Sequence, residues 1–249
     1  MIFRLSWYIT ILLMLASWIL SGSRSGRVGH GPLLTGNVPE ITNILEKYQS
    51  LHESALNPDA FIFGMAGYRS LLSRGLVKND SLLTIIDFSL PSVDYRLFVI
   101  NLNRNAVVFK SLVSHGRNSG ELYASKFSNK IQSHQSALGF YITGEPYRGG
   151  QGYSLQLMGL DTGYNDLSKV RSIVIHGAGY ATQEYANRYG RLGRSFGCLA
   201  LPPVMNAPIV NEIKGGSVVF SYFPDQAYLR RSVILRGDQN EVLTGAEGL

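Results

Sequence analysis

The sequence contains little cysteine, little charge and no spacing typical of a metal site. Cys198 is its only cysteine, which excludes an intramolecular disulfide bond. Zinc sites need three or four ligands, and no HxH, HxxxH or CxxC spacing is present, so we expect no bound metal. The segment GRLGRSFG lacks the Lys-Ser or Lys-Thr ending of a phosphate-binding loop, and we expect no cofactor.

The remaining composition is that of a folded, strand-rich protein. Hydrophobic residues make up 45% of the 249 residues, which is enough for a core. The 27 Gly, 14 Tyr and 11 Phe residues favour strands and turns over a helix bundle. The net charge of +6 is spread along the chain and indicates attraction to an anionic polymer or a membrane surface. Nucleic acid is the weaker option, and we expect no nucleic-acid partner.

The N-terminus has the pattern of a targeting segment. Arg4 precedes an uncharged apolar run at residues 5–20, and Ser21-Gly22-Ser23 then resembles the small-residue cleavage site of a signal peptide. The run has 16 residues, fewer than the roughly 20 of a full membrane span. A retained inner-membrane anchor stays the alternative to cleavage. In both cases we expect the rest of the chain to be exported to the periplasm or cell envelope.

Composition divides the chain into four parts. Residues 1–23 are the predicted signal peptide or anchor, and residues 24–80 are a Gly-, Ser- and Arg-rich linker followed by two helices. Residues 81–236 form the predicted strand-rich domain, and residues 237–249 a C-terminal tail. The oligomeric state stays open.

The strand-rich part consists of short runs of β-branched and aromatic residues separated by turn residues. These runs are LLTIIDF, YRLFVINL, AVVFKSLVS, LGFYIT, YSLQLMGL, RSIVIHG and SVVFSYF. Strands at this spacing without intervening helices predict an antiparallel β-sandwich or barrel. Residues 181–190 are the exception and predict a loop or a short helix.

Cys198 and His176 are the residues best suited to chemistry. Ser195 and Gly197 permit a tight turn that presents the thiol and nearby backbone N–H groups. His176 follows the apolar segment Ile173-Val174-Ile175 at a predicted strand end. The two residues are 22 positions apart, which allows a strand, a loop and a return. Because a thiol needs a base or a cation to become a thiolate, the two side chains are expected to meet.

The segments around these two residues resemble a known catalytic signature. IVIHGAGYA followed by RLGRSFGCLAL is similar to the L,D-transpeptidases of the YkuD type, and in particular to the murein L,D-transpeptidase catalytic domain branch. The resemblance extends upstream through LTIIDFSLPS, SHGRNSG and YSLQLMGLDTGYN, over about residues 60 to 223. It includes Gly193 and Ser195 beside the cysteine.

The resemblance implies a mainly β catalytic domain that acts on peptidoglycan tetrapeptide stems. A cysteine, here Cys198, would attack the carbonyl of an L-centre residue, usually diaminopimelate, and D-Ala would leave. An amine of a second stem would resolve the thioester, or water would do so in an L,D-carboxypeptidase. His176 would be the base and Gly177 would hold its tautomer. Ser195 and Gly197 would support an oxyanion hole with Cys198.

The chain departs from the family pattern at two places. The family usually has His between Ser and Gly, where this chain has Phe196, and Arg or Asn shortly after Cys, where this chain has Leu199-Ala200. The second departure removes the usual contact to an anion. Arg194 and Arg191 are expected to replace it, because a guanidinium matches a carboxylate.

Other residues are weighed against ordinary structural roles. His115 is at a predicted strand end in SHGRNSG, where it either lines the cleft and contacts substrate or caps loop backbone. His134 is expected to be an ordinary loop residue. Four tyrosines form a substrate platform or, more commonly for their type, part of the core: Tyr123, Tyr141, Tyr147 and Tyr153.

Rival functions fit less well. Papain-like and NlpC-type enzymes place Cys before His, whereas His176 precedes Cys198 here. Sortases keep this order but need an Arg soon after Cys, and the next arginine is Arg230. A catalytically silent peptidoglycan-binding or scaffold module on the same fold is the alternative from another class, and Phe196 favours it.

Overall fold

Strands form where β-branched and aromatic residues are dense, and glycines, asparagines and serines end them. The computed structural model describes residues 38–236, which belong to one compact unit. The predicted targeting segment at residues 1–23 and the predicted tail at 237–249 lie outside the described residues. Between residues 38 and 236, no helix has both the length and the apolar character required to cross a membrane.

The helices are α1 (Val38–Ser50), α2 (Pro58–Ser73), α3 (Gln183–Tyr189), α4 (Pro203–Ile213), α5 (Gln226–Arg231) and α6 (Val233–Arg236). The strands are β1 (Leu82–Asp87), β2 (Leu97–Asn101), β3 (Ala106–Ser111), β4 (Gly139–Gly149), β5 (Gly152–Gly159), β6 (Val174–Gly177), β7 (Leu199–Leu201) and β8 (Val218–Tyr222). The described part of the chain is therefore mainly β with an N-terminal helical segment, which confirms the predicted fold class.

The eight strands of the described residues form one sheet in the order β3-β2-β1-β8-β4-β5-β6-β7. Five ladders are antiparallel, but β1 pairs with β8 and β6 pairs with β7 in parallel. The expected antiparallel arrangement is wrong for these two ladders. Parallel neighbours need a crossover connection, and the link between β6 and β7 contains α3.

The two outer strands of this sheet are brought together by the chain that follows β3. The Ser114 N–H donates to the Ala200 carbonyl at 2.8 Å, and the Ser195 N–H donates to the His115 carbonyl at 3.0 Å. These bonds place the segment after β3 beside β7 and give the sheet its barrel-like form. The second bond also attaches the turn before Cys198 to the segment that follows β3.

Helices α2 and α4 cover the sheet. Asn57 caps α2, since its side chain accepts from the Asp59 N–H at 2.9 Å, and α2 packs against β1 and β8. Helix α4 was not predicted, and it contains Pro203 and Pro208, a residue type that discourages helices. Pro203 is tolerated in the first turn, and the buried residues Ile209, Val210 and Ile213 have the helical spacing that signals α4.

Candidate active site

His176 is held in one tautomer at the end of β6. The ring is 2% exposed, and its Nδ1 lies 3.1 Å from the Gly177 carbonyl oxygen. A carbonyl only accepts, so Nδ1 carries the proton and Nε2 keeps its lone pair. Burial lowers the pKa of His176, and the bond to Gly177 opposes part of this effect. The ring is therefore a neutral base with Nε2 as its basic atom.

Cys198 directly precedes β7, the strand beside β6. His176 is opposite Ala200 in this parallel ladder, two residues after the cysteine. The thiol donates to the Ser172 carbonyl at 3.4 Å and is also near the Val174 N–H. Among the described residues, His176 is not one of its hydrogen-bond partners.

The thiol is protonated in this arrangement. Burial raises the pKa of Cys198, and the Val174 N–H and the Arg171 charge offset only part of this rise. A buried site with a neutral histidine favours the uncharged thiol. Activation requires proton transfer from the thiol to a base.

Ser195 shapes the turn that presents the thiol. Its hydroxyl donates to the Cys198 carbonyl at 2.6 Å and accepts from the Gly197 N–H at 3.0 Å. The Gly197 N–H is consequently occupied, which corrects the expectation that it serves an oxyanion in this conformation. The Cys198 N–H is the remaining candidate donor in this turn.

Gly197 is required by its conformation and by its surroundings. Its φ is +122°, and a Cβ at this position would lie 2.8 Å from the Gln135 carbonyl oxygen and 3.1 Å from Arg171 Nη2. Gly193 is similarly close to Tyr180, where a Cβ would be 2.4 Å from the tyrosine Cβ. The glycines of the RLGRSFGC motif therefore serve close packing beside the thiol.

We predict that Gly197→Ala lowers both stability and activity. The left-handed backbone and the contact with Gln135 should reduce the free energy of unfolding by about 2 kcal/mol. Displacement of the thiol should lower kcat/KM by about tenfold or more. Gly190→Ala is the matched control, because Gly190 has φ +70° with nothing within 4 Å of its Cβ position. If both variants keep full activity, Gly197 does not position the thiol.

His115 does not line a cleft. It is 1% exposed, its Nδ1 lies 2.9 Å from Arg96 Nη2, and its Nε2 lies 3.3 Å from the Gly120 carbonyl oxygen. An arginine only donates, so Nδ1 accepts and the Nε2 proton goes to Gly120. Burial and the Arg96 charge lower the pKa of His115 to about 3. Of the two roles considered for His115, the substrate contact in a cleft is not met in this structure, and the ring instead bonds to loop backbone at Gly120, in the loop that bonds to Ser195.

We predict that His115 makes the protein less stable as the pH falls. The folded state keeps His115 neutral down to about pH 3, whereas the unfolded chain takes up the proton below its ordinary value of 6.5. The unfolded state therefore binds more protons between these values, and stability is lost from pH 7 to pH 5, by on the order of 2 kcal/mol. Urea unfolding at both pH values should show a smaller loss in His115→Gln. An equal loss would contradict the assignment.

Arg191 and Arg194 are bound to Glu121. Arg191 Nε lies 2.8 Å from Glu121 Oε2, and Arg194 Nη1 pairs with Glu121 Oε1. Arg194 Nη1 also lies 3.1 Å from the Arg117 and Gly120 carbonyl oxygens. The expectation that Arg194 and Arg191 receive the substrate carboxylate is therefore not met in this conformation, because an internal carboxylate occupies both guanidinium groups. Sequence spacing gives no sign of this pairing.

Three residues beside the cysteine were missed as a group. The Phe196 side chain is 64% exposed, and its ring centroid lies 4.7 Å from that of His134 and 4.7 Å from Arg117 Cζ. Arg117 Nη2 is 2.9 Å from His134 Nδ1. His134 is thus more than an ordinary loop residue. No periodicity signals the cluster, because Arg117 and His134 are 17 residues apart in the connection between β3 and β4, and Phe196 belongs to the connection between β6 and β7.

Arg171 is the cation whose charge acts on the thiol, and it was also missed. Its Nη1 donates to the Ser128 carbonyl at 2.6 Å, and its Nη2 donates to the Gln135 carbonyl. The residue ties the loop around residues 128–135 to the start of β6. Of the four tyrosines considered, Tyr141 is buried, whereas Tyr123 and Tyr147 are exposed. Arg171 begins the predicted strand run RSIVIHG, and nothing in that run signals that its charge acts on the thiol.

The chain was compared with known proteins. A family model described as an L,D-transpeptidase catalytic domain matches residues 52–222. No curated protein matched the chain. Solved structures similar to this chain include an L,D-transpeptidase from Mycobacterium smegmatis (12% identity, TM-score 0.37) and one from Mycobacterium tuberculosis (13% identity, TM-score 0.37).

The extent of these structural alignments differs. Each of the two mycobacterial alignments covers 57% of this chain, with 59% of the first structure and 58% of the second. The chain thus spans less than two thirds of the length of these structures. An L,D-transpeptidase from Xylanimonas cellulosilytica aligns over 80% of this chain and 100% of its own length, at 12% identity and a TM-score of 0.34.

Proposed function

The chain belongs to the L,D-transpeptidase catalytic domain family, and from this membership we propose that it transfers acyl groups of peptidoglycan stems through Cys198, with His176 as the base. The observation that carries the proposal is the state of His176. Its Nδ1 proton is held by Gly177, and within the described residues 38–236 no hydrogen bond engages its basic Nε2, on the strand beside the one that follows the cysteine.

The first half-reaction forms a thioester. The thiol leaves the Ser172 carbonyl by rotation about its Cα–Cβ bond and gives its proton to His176 Nε2 as Sγ attacks the carbonyl carbon of the L-centre residue. The oxyanion accepts from the Cys198 N–H. The bond from this carbonyl to the D-Ala nitrogen then breaks, and the D-Ala amine takes the proton from His176.

The second half-reaction releases the acyl group. An amine of a second stem attacks the thioester carbonyl and gives a proton to His176, after which the C–S bond breaks and the proton returns to Cys198. Water in place of the amine gives L,D-carboxypeptidation. Both routes restore the neutral thiol and the neutral ring, which are the forms that burial favours.

The site also bears on the silent-module alternative. A binding module needs neither a base with a fixed tautomer nor a thiol, and the chain has both, with His176 on β6 and Cys198 directly before the neighbouring strand β7. The proposed substrate is in the cell wall, so we propose that the chain acts in the envelope, in agreement with the apolar run at residues 5–20.

The experiment is incubation of the purified protein with a disaccharide-tetrapeptide, followed by mass spectrometry of the products. Release of D-Ala together with a crosslinked dimer identifies L,D-transpeptidation, and release with a tripeptide identifies L,D-carboxypeptidation. Unchanged substrate that nevertheless binds would favour the silent module over the proposed function.

A further inference from the structure

Resting on the acyl transfer proposed above, we propose that Arg117, supported by Phe196 and His134, binds the free carboxylate at the terminal residue of the donor stem. The three residues form a cluster at the exposed surface beside the nucleophile. We name it the Arg117 cluster.

The other arginines near the cysteine are already engaged. Arg191 and Arg194 share Glu121, and Arg171 donates to the carbonyls of Ser128 and Gln135. Arg117 is exposed, and within residues 38–236 no carboxylate pairs with it. Its charge is therefore free to meet an anion.

The position of the cluster suits the length of the substrate. The Arg117 N–H donates to the Ser195 carbonyl at 2.8 Å, and Phe196 is two residues before Cys198. Two residues of extended chain span at most about 7 Å. In the stem, three bonds separate the carbonyl carbon under attack from the terminal carboxylate carbon. The backbones of Phe196 and Cys198 are thus within about 7 Å of each other, and we infer from this that the thiol and the guanidinium reach the two ends of one D-Ala unit.

The cluster is built to orient the guanidinium. The Phe196 ring lies against its face and His134 accepts one of its N–H groups, which leaves other N–H groups at its edge for a carboxylate. Two hydrogen bonds fix the loop that carries His134. The His134 carbonyl accepts from the Asn118 N–H at 3.1 Å, and the Ser136 hydroxyl accepts from the Gly116 N–H at 3.0 Å. A preorganised donor loses less entropy on binding.

This arrangement also gives Phe196 a role. A side chain that is 64% exposed gains little from burial, so its contribution is its contact with Arg117 and His134. An aromatic residue between Ser195 and Gly197 keeps the guanidinium near the thiol without taking part in proton transfer. Phe196 is a positioning residue in this account.

The test compares two tetrapeptide stems, one with a free terminal carboxylate and one with that carboxylate amidated. In the wild type, amidation should lower kcat/KM for D-Ala or D-Ala-amide release by about tenfold, mainly through KM. Arg117→Ala should lose about tenfold on the free-acid stem and little on the amidated stem. Arg117→Lys should recover part of the loss, because an ammonium retains the charge without the fork.

Phe196→Leu tests the positioning role. We expect this variant to raise KM a few-fold on the free-acid stem only. Arg188→Ala is the matched control, because Arg188 is exposed and stacks on Tyr189 at 5.4 Å in the same manner as Arg117 on Phe196. This control variant should leave kcat/KM unchanged on both stems. Retained turnover of the amidated stem by Arg117→Ala shows that this variant is folded.

Two results would overturn the inference. In the first, the fold-losses in kcat/KM from amidation and from Arg117→Ala are independent, so that the variant loses as much on the amidated stem as on the free-acid stem. In the second, Arg117→Ala leaves KM on the free-acid stem unchanged. Either result would leave the acyl transfer itself intact. Failure of the proposed function is different, since the wild type would then release D-Ala from neither stem.

Discussion

Cys198→Ala is expected to abolish the release of D-Ala while the fold stays intact. Without the sulfur no thioester can form, so kcat should fall by several orders of magnitude. The thiol donates weakly to the Ser172 carbonyl at 3.4 Å and is near the Val174 N–H, and alanine fills most of its space. The free energy of unfolding should therefore change by about 1 kcal/mol or less. Product analysis by mass spectrometry and urea unfolding measure the two quantities.

Cys198→Ser is the companion variant, because its hydroxyl can still donate to the Ser172 carbonyl. It should match the wild type in stability and the alanine variant in activity, since a hydroxyl is a far weaker nucleophile than a thiol in this site. D-Ala release by Cys198→Ala at a rate comparable with the wild type would show that the nucleophile is elsewhere.

The second large effect is expected at His176. His176→Gln removes the only basic nitrogen proposed to accept the thiol proton, and kcat/KM should fall by about 10² to 10⁴. In the wild type, the rate should decline on an acidic limb below pH 6.5, because burial lowers the pKa of His176 from that value. The variant should lack this limb and gain activity only in alkali, since burial raises the pKa of Cys198 above 9.0.

The control for this substitution is His52→Gln, an exposed histidine at the end of α1. It should keep the wild-type rate and the acidic limb. Full activity in His176→Gln, with the limb unchanged, would remove His176 from the mechanism. His115 cannot replace it without a large rearrangement, because both of its ring nitrogens are bonded and its pKa is lowered to about 3.

Most of the strands and the family could be predicted, because both depend on local sequence pattern. Runs such as LLTIIDF and SVVFSYF are apolar on both faces, and each forms a buried strand, β1 and β8. The motif around His176 and Cys198 is short and specific. Strand β7 was missed because three residues, Leu199–Leu201, are too few to show a period.

The partners of charged side chains could not be predicted, because they are set by contacts between distant segments. Glu121 is far from Arg191 and Arg194 in sequence, yet it binds both. Arg96 is fully buried and donates to Val113 and His115, which no sequence period indicates. The sequence therefore predicted Arg194 as the residue that binds the substrate carboxylate, whereas the structure leads us to propose Arg117.

Labelling by a carbapenem, read by intact-protein mass spectrometry and peptide mapping, tests the central claim most directly. Opening of the β-lactam ring by a nucleophilic thiol adds the whole carbapenem mass and expels nothing. We expect one adduct on the wild type at Cys198, none on Cys198→Ala, and slower labelling of His176→Gln. An unlabelled wild type, or an equal adduct on Cys198→Ala, would contradict the assignment of Cys198 as the acyl-accepting nucleophile.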